Sequence, residues 1–259
     1  MAGRAHLKAV PSWDDYLSGF HAERAGITER VLRPATSGGR DAYAWLLEAV
    51  PDRPGDVVDL ACGSAPLWPV LGERARSWTG VDAADSELAL AAERGAATLV
   101  RADVTALPLP DRCADVVVCA MSLQLVQPLE RALAEVARVL RPGGTFVATV
   151  PVNRPVLPRD LRVLLPVLTA LRSRLGYPND DALEDPARAF ADAGLTLGGD
   201  ERLRFGLPVS DVDAGRLWLE SLYLPGVPAE RVAAAARAVE RAVPTVLPVP
   251  VRRLVATRR

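Results

Sequence analysis

Apolar side chains in the N-terminal segment recur at the spacing of a helix. One stripe begins at Trp13 and ends at Phe20, directly after Ser12, and a serine in that place is a common helix N-cap. Two shorter helices are expected around residues 28–32 and 40–50. The pattern therefore predicts that the chain is helical before its first strand.

The pattern changes after Pro51, where short β-branched runs alternate with stretches rich in Ala, Leu, Glu and Arg. The runs predict strands at 56–60, 77–81, 97–101, 115–120 and 145–150. The stretches predict helices at 66–74, 86–94 and 128–140, with a turn at 141–144. Alternation at this spacing indicates βαβ units, in which a parallel sheet carries helices on both faces.

The regular alternation stops after Pro151. The later elements are expected to be helices at 159–175 (interrupted at Pro166), 185–193 (closed by Gly194), 214–223 and 229–243, and strands at 195–206 and 249–258. The predicted fold class is α/β, a Rossmann-like doubly wound, seven-stranded and mostly parallel sheet with a helical cap. Residues 1–50 are expected to form the cap and 51–259 the core, with helical insertions at about 155–180 and 210–245.

The composition limits which partners and which cellular compartment are expected. The 31 basic residues nearly balance the 32 acidic ones, so no strong field attracts a polyanion and nucleic acid is not expected as a partner. The three cysteines form no CxxC pair, so neither a disulfide framework nor a metal site is expected. With no apolar leader and no run long enough to cross a bilayer, the sequence predicts a cytoplasmic protein without a membrane partner.

Candidate ligand-binding residues follow the ends of the first three predicted strands. Strand 56–60 runs into a turn of small residues at 61–65, and such a turn lets a ligand approach the backbone closely. Asp82 ends the second strand about 20 residues later, where a carboxylate is placed to accept both hydroxyls of a ribose. Asp103 follows the third strand and is a candidate acceptor for an adenine amine. Together the strand ends fit a nucleoside with a small charged tail.

From Asp56 to Val150 the chain resembles the cofactor-binding core of class I S-adenosylmethionine-dependent methyltransferases, in the small-molecule branch often called type 11. The resemblance rests on four segments and their joint spacing: DLACGSA, VDAAD, RADVTALPLPDRCADVVVCAMSLQLV and LAEVARVLRPGGTFVATVP. It implies a Rossmann-like fold with a reversed last strand. It also implies S-adenosylmethionine as cofactor and S-adenosylhomocysteine as product.

The resemblance implies a role for each strand end. Asp82 would hold the ribose, Asp103 and Val104 would flank the adenine, residues 61–63 would line the methionine part, and residues 119–121 would sit beside the sulfonium. The cofactor-binding residues expected on this basis are Asp59, Ala61, Cys62, Gly63, Asp82, Ala83, Asp103, Val104, Cys119, Ala120 and Met121.

One position departs from the family pattern. Ala65, followed by Pro66, stands where a glycine is usual, and the added methyl is tolerated if φ stays negative but otherwise weakens or narrows the site. A protein of this fold that has lost methyl transfer is therefore an alternative. An RNA methyltransferase is another, although the sequence has no basic patch. A nicotinamide enzyme is disfavoured because the G-x-G-x-x-G fingerprint is absent.

Fewer features of the sequence indicate which residues contact the methyl acceptor. His21, after the N-terminal stripe, is a candidate general base, with a surface or capping histidine as the alternative. Tyr16 and Gln124 are candidate substrate contacts, with core packing as the alternative for the tyrosine.

An apolar lid is expected from segment 157–175 together with Trp218 and Tyr223. Such a lid favours a hydrophobic acceptor. The sequence thus predicts methyl transfer to an oxygen, nitrogen or carbon of a small, partly hydrophobic metabolite, by a monomer or a homodimer.

Overall fold

The structure is a computed structural model of the chain and describes residues 12–173 and 175–259. The helices are α1 (Trp13–Glu23), α2 (Ile27–Leu32), α3 (Ala42–Leu47), α4 (Trp68–Arg74), α5 (Asp85–Glu93), α6 (Leu129–Val139), α7 (Leu161–Leu171), α8 (Asp180–Glu184), α9 (Pro186–Asp192), α10 (Val212–Glu220) and α11 (Ala229–Glu240). The strands are β1 (Asp56–Leu60), β2 (Ser77–Asp82), β3 (Leu99–Arg101), β4 (Ala114–Ala120), β5 (Leu140–Pro151), β6 (Leu195–Val209) and β7 (Thr245–Arg258).

The seven strands form one sheet in the order β3-β2-β1-β4-β5-β7-β6. Strands β1 to β5 pair in parallel, whereas β7 runs antiparallel to both of its neighbours, β5 and β6. The predicted seven-stranded, mostly parallel sheet is confirmed. The long hairpin-like pair of β6 and β7 encloses α10 and α11, as expected for a reversed last strand.

Helices cover both faces of the sheet because the central strands are apolar on both sides. Val58 of β1 belongs to a core that also contains α6 and α9, whereas the neighbouring Val57 packs toward α3, α4 and α5. A third core joins α7, α10 and α11 to the outer strands, with Trp218 and Phe205 inside it. Side-chain alternation along each strand thus separates the two helical layers.

The N-terminal helix begins where the sequence places it. The Ser12 side chain accepts a hydrogen bond from the backbone N–H of Asp15 at 3.1 Å, which satisfies one of the free N–H groups of the first turn. Helix α1 then packs against α5. None of the helices in the described part of the chain is long and apolar enough to span a membrane.

Three local predictions differ from the structure. Helix α7 passes through Pro166 without interruption, because Val163, Val167 and Leu171 on its buried face pack against the third core and compensate for the lost hydrogen bond. The predicted turn at 141–144 lies within β5, where the register with β4 shifts. Helix α8 was not predicted at all.

The chain crosses from one side of β1 to the other after β3, since β1 lies between β2 and β4. At such a switch point the loops after neighbouring parallel strands diverge and leave a crevice at the carboxyl edge of the sheet. The turns after β1, β2, β3 and β4 all meet at this edge, where the candidate residues were expected.

Candidate active site

A cavity of about 620 Å³ lies at the carboxyl edge of the sheet, within the range typical of small-molecule sites. Its floor is formed by the turns that follow β1 to β4. Its roof is formed by α1, the start of α2 and Tyr223, which follows α10. We call the floor the strand-end half and the roof the cap half.

The first turn alternates between ordinary and left-handed backbone. Ala61, Gly63 and Ala65 have φ values of 50°, 54° and 54°, a region that costs a non-glycine residue about 1–2 kcal/mol. The φ of Ala65 is thus positive, contrary to the condition under which its methyl was expected to be tolerated. The methyl is nevertheless fully buried in the core beside α4, so packing offsets the backbone cost.

Asp82 is fixed by the backbone of two different turns. One carboxylate oxygen accepts the N–H of Gly63 at 2.8 Å and the other accepts the N–H of Ala84 at 2.9 Å. Burial raises the pKa of this carboxyl, although the two N–H groups act in the opposite direction. Each oxygen keeps a further lone pair, so the carboxylate can accept hydroxyl hydrogens from a ligand in the cavity.

Asp59 lies beneath the same turn and is 1% exposed. Its Oδ2 has no hydrogen bond of ordinary geometry among the described residues, although the indole N–H of Trp78 lies near the carboxyl. Full burial raises the pKa of this carboxyl well above its usual range, and the charge of Asp82 raises it further. An orphaned buried oxygen beside a cavity is costly in the protein alone, which suits a ligand that brings a hydrogen-bond donor.

The other strand ends also reach the cavity. Asp103 lines it and already accepts hydrogen bonds from the backbone N–H and hydroxyl of Thr105, both at 2.8 Å. The predicted cofactor residues that line the cavity are Asp59, Ala61, Cys62, Gly63, Asp82, Ala83, Asp103, Val104, Ala120 and Met121.

Three predicted site residues lie outside the described lining of the cavity. Cys119 points into the core beside α6, because side chains alternate along β4 and Ala120 faces the ligand side. Gln124 is 2% exposed, and its amide donates to the carbonyl of Met121 at 2.7 Å. The hydroxyl of Tyr16 accepts the N–H of Leu224 at 2.8 Å and so ties α1 to the segment after α10.

The two buried cysteines behave as packing residues. Burial raises the pKa of the Cys119 thiol to about 12, and it also raises the pKa of Cys62. Both side chains are therefore neutral thiols, which are poor nucleophiles.

The cap half contains a hydrogen-bonded chain around His21. Its Nδ1 lies 2.9 Å from Oε1 of Glu87 on α5, and its Nε2 lies 3.4 Å from the hydroxyl of Tyr223. Glu87 is 4% exposed, and both of its oxygens accept the N–H of Gly26 at 3.1 Å. The Ser86 hydroxyl donates to the backbone carbonyl of His21 at 2.9 Å.

A second set of contacts fastens α2 to the first turn. Glu29 accepts the hydroxyl of Ser64 at 2.7 Å and pairs with the guanidinium of Arg94 at 2.6 Å. Arg33 donates to the carbonyl of Pro66 at 2.6 Å. Although burial opposes it, hydrogen bonds from Arg94 and Ser64 lower the pKa of Glu29, so the carboxylate is charged and holds the cap half to the strand-end half.

The predicted apolar lid does not have the expected position. Of the residues assigned to it, Tyr223 lines the cavity, whereas Trp218 and the described residues of 157–175 do not. Trp218 is 5% exposed inside the third core. The apolar stripe of α7 is therefore used for packing against α11 and the outer strands, and it says little about the ligand.

Glu87 was not predicted as a site residue from the sequence. A signal for it exists, because Glu87 and Ala91 are the buried residues of α5 and their i, i+4 spacing puts them on one face. A glutamate on the buried face of a helix needs a partner. The sequence does not show that this partner is His21, which is 66 positions away.

Comparison with known proteins agrees with this geometry. A family profile described as a methyltransferase domain matches residues 58–148. The malonyl-(acyl-carrier protein) O-methyltransferase of Pectobacterium atrosepticum is 35% identical over 47% of this chain and 47% of its own length. A demethylmenaquinone methyltransferase of Thermus thermophilus is 37% identical over 42% of this chain and 51% of its own.

The chain thus spans about half the length of these curated relatives. Among solved structures, the cyclase SpnF superposes with a TM-score of 0.61 over 98% of this chain and 99% of its own, at 19% identity. This likeness concerns the fold alone. The family profile, the relatives and the cofactor-sized crevice at the switch point agree on one assignment. Residues 58–148 thus match the methyltransferase-domain family, as the sequence resemblance to class I S-adenosylmethionine-dependent methyltransferases predicted.

Proposed function

We propose that the protein transfers a methyl group from S-adenosylmethionine to a small, partly hydrophobic metabolite. The observation that carries this proposal is Asp82, a carboxylate fixed by two backbone N–H groups at the end of β2 and facing a cavity. A rigid acceptor pair in this place suits the two hydroxyls of a ribose. The relatives named above act on acyl and quinone compounds by their names, which agrees with a small acceptor.

The donor groups of S-adenosylmethionine fit the acceptors of the strand-end half. Asp82 would take the ribose hydroxyls, and Asp103 with Val104 would take the adenine. The first turn and the buried carboxyl of Asp59 also line the cavity and would face the methionine part of the cofactor. Ala120 and Met121 would lie near the sulfonium.

When bound, the cofactor supplies an electrophilic methyl group whose bond electrons stay with sulfur, so that S-adenosylhomocysteine remains. The protein contributes mainly by holding donor and acceptor together, which is the largest source of rate in a displacement of this kind. His21 lines the cavity beside Glu87, close to the first turn, and is the proposed general base. Leu17, Leu125 and Val126 give the acceptor region its apolar surface.

The cavity lining argues against RNA as the acceptor. Seven carboxyl side chains line the described cavity, whereas Arg101 is the one arginine or lysine in that lining. A polyanion would be repelled at the mouth. We further propose that the protein works in the cytoplasm, since its three cysteines are free, and that it is a monomer or a homodimer.

Calorimetric titration with S-adenosylhomocysteine tests the proposal, with NAD as the control ligand. We expect micromolar binding of S-adenosylhomocysteine and none of NAD. Asp82→Asn should weaken the binding, whereas Asp111→Asn is a matched control, because Asp111 is an exposed aspartate that pairs with Arg138 away from the cavity. Absence of binding by the folded wild-type protein would favour a fold that has lost its cofactor.

A further inference from the structure

We propose that Glu87 sets the tautomer of His21 so that Nε2 accepts a proton from the acceptor, and that the acceptor is therefore a neutral hydroxyl compound such as a phenol or an enol. This inference rests on the proposed function. It adds a positioning residue, Glu87, and a chemical class of substrate. Its first support is the hydrogen-bond arrangement of the glutamate.

Glu87 accepts hydrogen bonds and has no visible role as a donor. Both of its oxygens face the backbone N–H of Gly26 at 3.1 Å, and Oε1 faces Nδ1 of His21 at 2.9 Å. A carboxylate held by an N–H group requires a donor at its remaining contact. The imidazole must therefore carry its hydrogen on Nδ1. In the neutral ring this leaves the lone pair on Nε2, as in other carboxylate-oriented histidines.

The lone pair on Nε2 points to a place that a phenolic oxygen can occupy. The hydroxyl of Tyr223 lies 3.4 Å from Nε2, which is longer than a strong hydrogen bond. Both side chains line the cavity, and the side chain of His21 is 23% exposed. The Tyr223 hydroxyl also interacts with the side chain of Thr28, and its long contact with Nε2 leaves that nitrogen available to a ligand from the cavity.

The charge of the cavity disfavours an anionic acceptor. Arg101 is exposed and already pairs with Asp85 at 2.9 Å, so the described lining offers no free guanidinium to a carboxylate substrate. Glu87 also lies close to the position that such a substrate would take beside His21. Two neighbouring carboxylates repel each other strongly in a buried site. A neutral acceptor avoids this repulsion.

A prebuilt base favours a hydroxyl over an amine. A neutral amine already carries the lone pair that attacks a methyl group, whereas a phenol becomes a strong nucleophile only as its proton leaves. In the proposed step, the acceptor O–H bond would break and its proton would move to Nε2. The oxygen would form the new bond to the methyl carbon as the bond between that carbon and sulfur breaks, its electron pair staying with sulfur. The imidazolium formed is stabilised by Glu87 and later gives its proton to water.

The tautomer can be measured without any ligand, because the chain has only two histidines. Two-bond ¹H–¹⁵N spectra of histidine-labelled protein, at a pH where both rings are neutral, should show one ring protonated on Nδ1. This signal should disappear in His21→Gln. Glu87→Gln should shift the proton to Nε2, since an amide N–H can then face Nδ1. Wild-type His21 protonated on Nε2 would overturn the proposal.

Two further variants distinguish an effect on the tautomer of His21 from a general disturbance of the protein. Glu135→Gln is the matched control, because Glu135 is a half-buried glutamate that accepts the N–H of Leu107 at 2.7 Å far from the cavity. Tyr223→Phe removes the hydroxyl at Nε2 and keeps the ring. Both variants should keep the Nδ1 proton. A change of the His21 tautomer in Tyr223→Phe would mean that Tyr223, and not Glu87, determines this tautomer.

The acceptor class is tested with three probes of similar shape, para-nitrophenol, para-nitroaniline and para-nitrobenzoate, in the presence of S-adenosylhomocysteine. We expect the phenol to bind and to show its phenolate absorbance at a pH where the free phenol is mostly protonated. This ionisation should be lost in His21→Gln and reduced in Glu87→Gln. Failure of the phenol to bind, or binding without ionisation, would reject the hydroxyl class. Calorimetry with S-adenosylhomocysteine alone reports separately on the proposed function.

Discussion

The strand-end half of the cavity is held by backbone, whereas the cap half is held by side chains from distant elements. Asp82 takes its position from the N–H groups of Gly63 and Ala84 in neighbouring turns. His21 takes its position from Glu87 and Tyr223, which lie 66 and 202 positions away in the chain. Substitutions in one half should therefore leave the contacts of the other half largely intact.

The largest effect is expected in the cap half. His21→Gln should lower the rate of methyl transfer to para-nitrophenol by about 10²–10⁴-fold, the usual loss of a general base. Binding of S-adenosylhomocysteine should stay unchanged, because His21 belongs to the other half. A loss of affinity equal to the loss of rate would show that the two halves are not separate.

A smaller effect is expected in the strand-end half. Asp82→Ala should weaken the binding of S-adenosylhomocysteine by about 1–3 kcal/mol, since charge-assisted hydrogen bonds are lost. The tautomer of His21 should remain that of the wild type, which two-bond NMR spectra can check. Unchanged affinity in calorimetry would remove Asp82 from the ribose role.

Low pH should weaken cofactor binding through the same residue, Asp82. Burial raises the pKa of Asp82 above that of an exposed aspartate, so the carboxylate is lost earlier as the pH falls. The charged form is the better acceptor for hydroxyl groups. Affinity for S-adenosylhomocysteine should therefore be level near neutral pH and fall as the solution becomes acidic. In Asp82→Asn this fall should be flatter, and an equally steep curve would point to another titrating group.

The link between the halves should contribute to stability. Glu29→Gln weakens the contacts to Ser64 and Arg94 and should lower the free energy of unfolding by about 1–2 kcal/mol. Because the folded pKa of Glu29 is lowered, this contribution is present above the unfolded pKa and disappears as the pH falls through the folded pKa. Denaturant titrations of both proteins at neutral and acidic pH measure it. An equal difference in the free energy of unfolding at neutral and acidic pH would contradict the role assigned to Glu29.

The smallest effect is expected at Ala65. Ala65→Gly removes the cost of a left-handed alanine but also removes a buried methyl and frees the unfolded chain. These opposing effects should leave the free energy of unfolding within about 1 kcal/mol of the wild type, and cofactor affinity nearly unchanged. A large gain in affinity, measured by calorimetry, would mean that the alanine narrows the site.

Much of the strand-end half could be predicted because its information is local. Alternating β-branched and helix-forming runs indicate βαβ units, and the carboxyl ends of parallel strands meet at one edge of the sheet. Asp59, Asp82 and Asp103 reach one cavity for this reason. The side chain of Cys119 lies outside the described lining of the cavity, and the sequence carries a local signal for this, since a neighbour of the cavity-facing Ala120 must point the other way.

The cap half could not be predicted in the same way. The sequence by itself determined the sheet, its helices and the residues at the strand ends, because short-range periodicity and parallel connections fix them. Only the tertiary structure brought His21 to Glu87 and Tyr223, fastened Glu29 to Ser64, and buried the apolar face of α7 away from the cavity. The physical reason is that these contacts join side chains from separate elements. No repeat or spacing along the chain encodes which of them will meet.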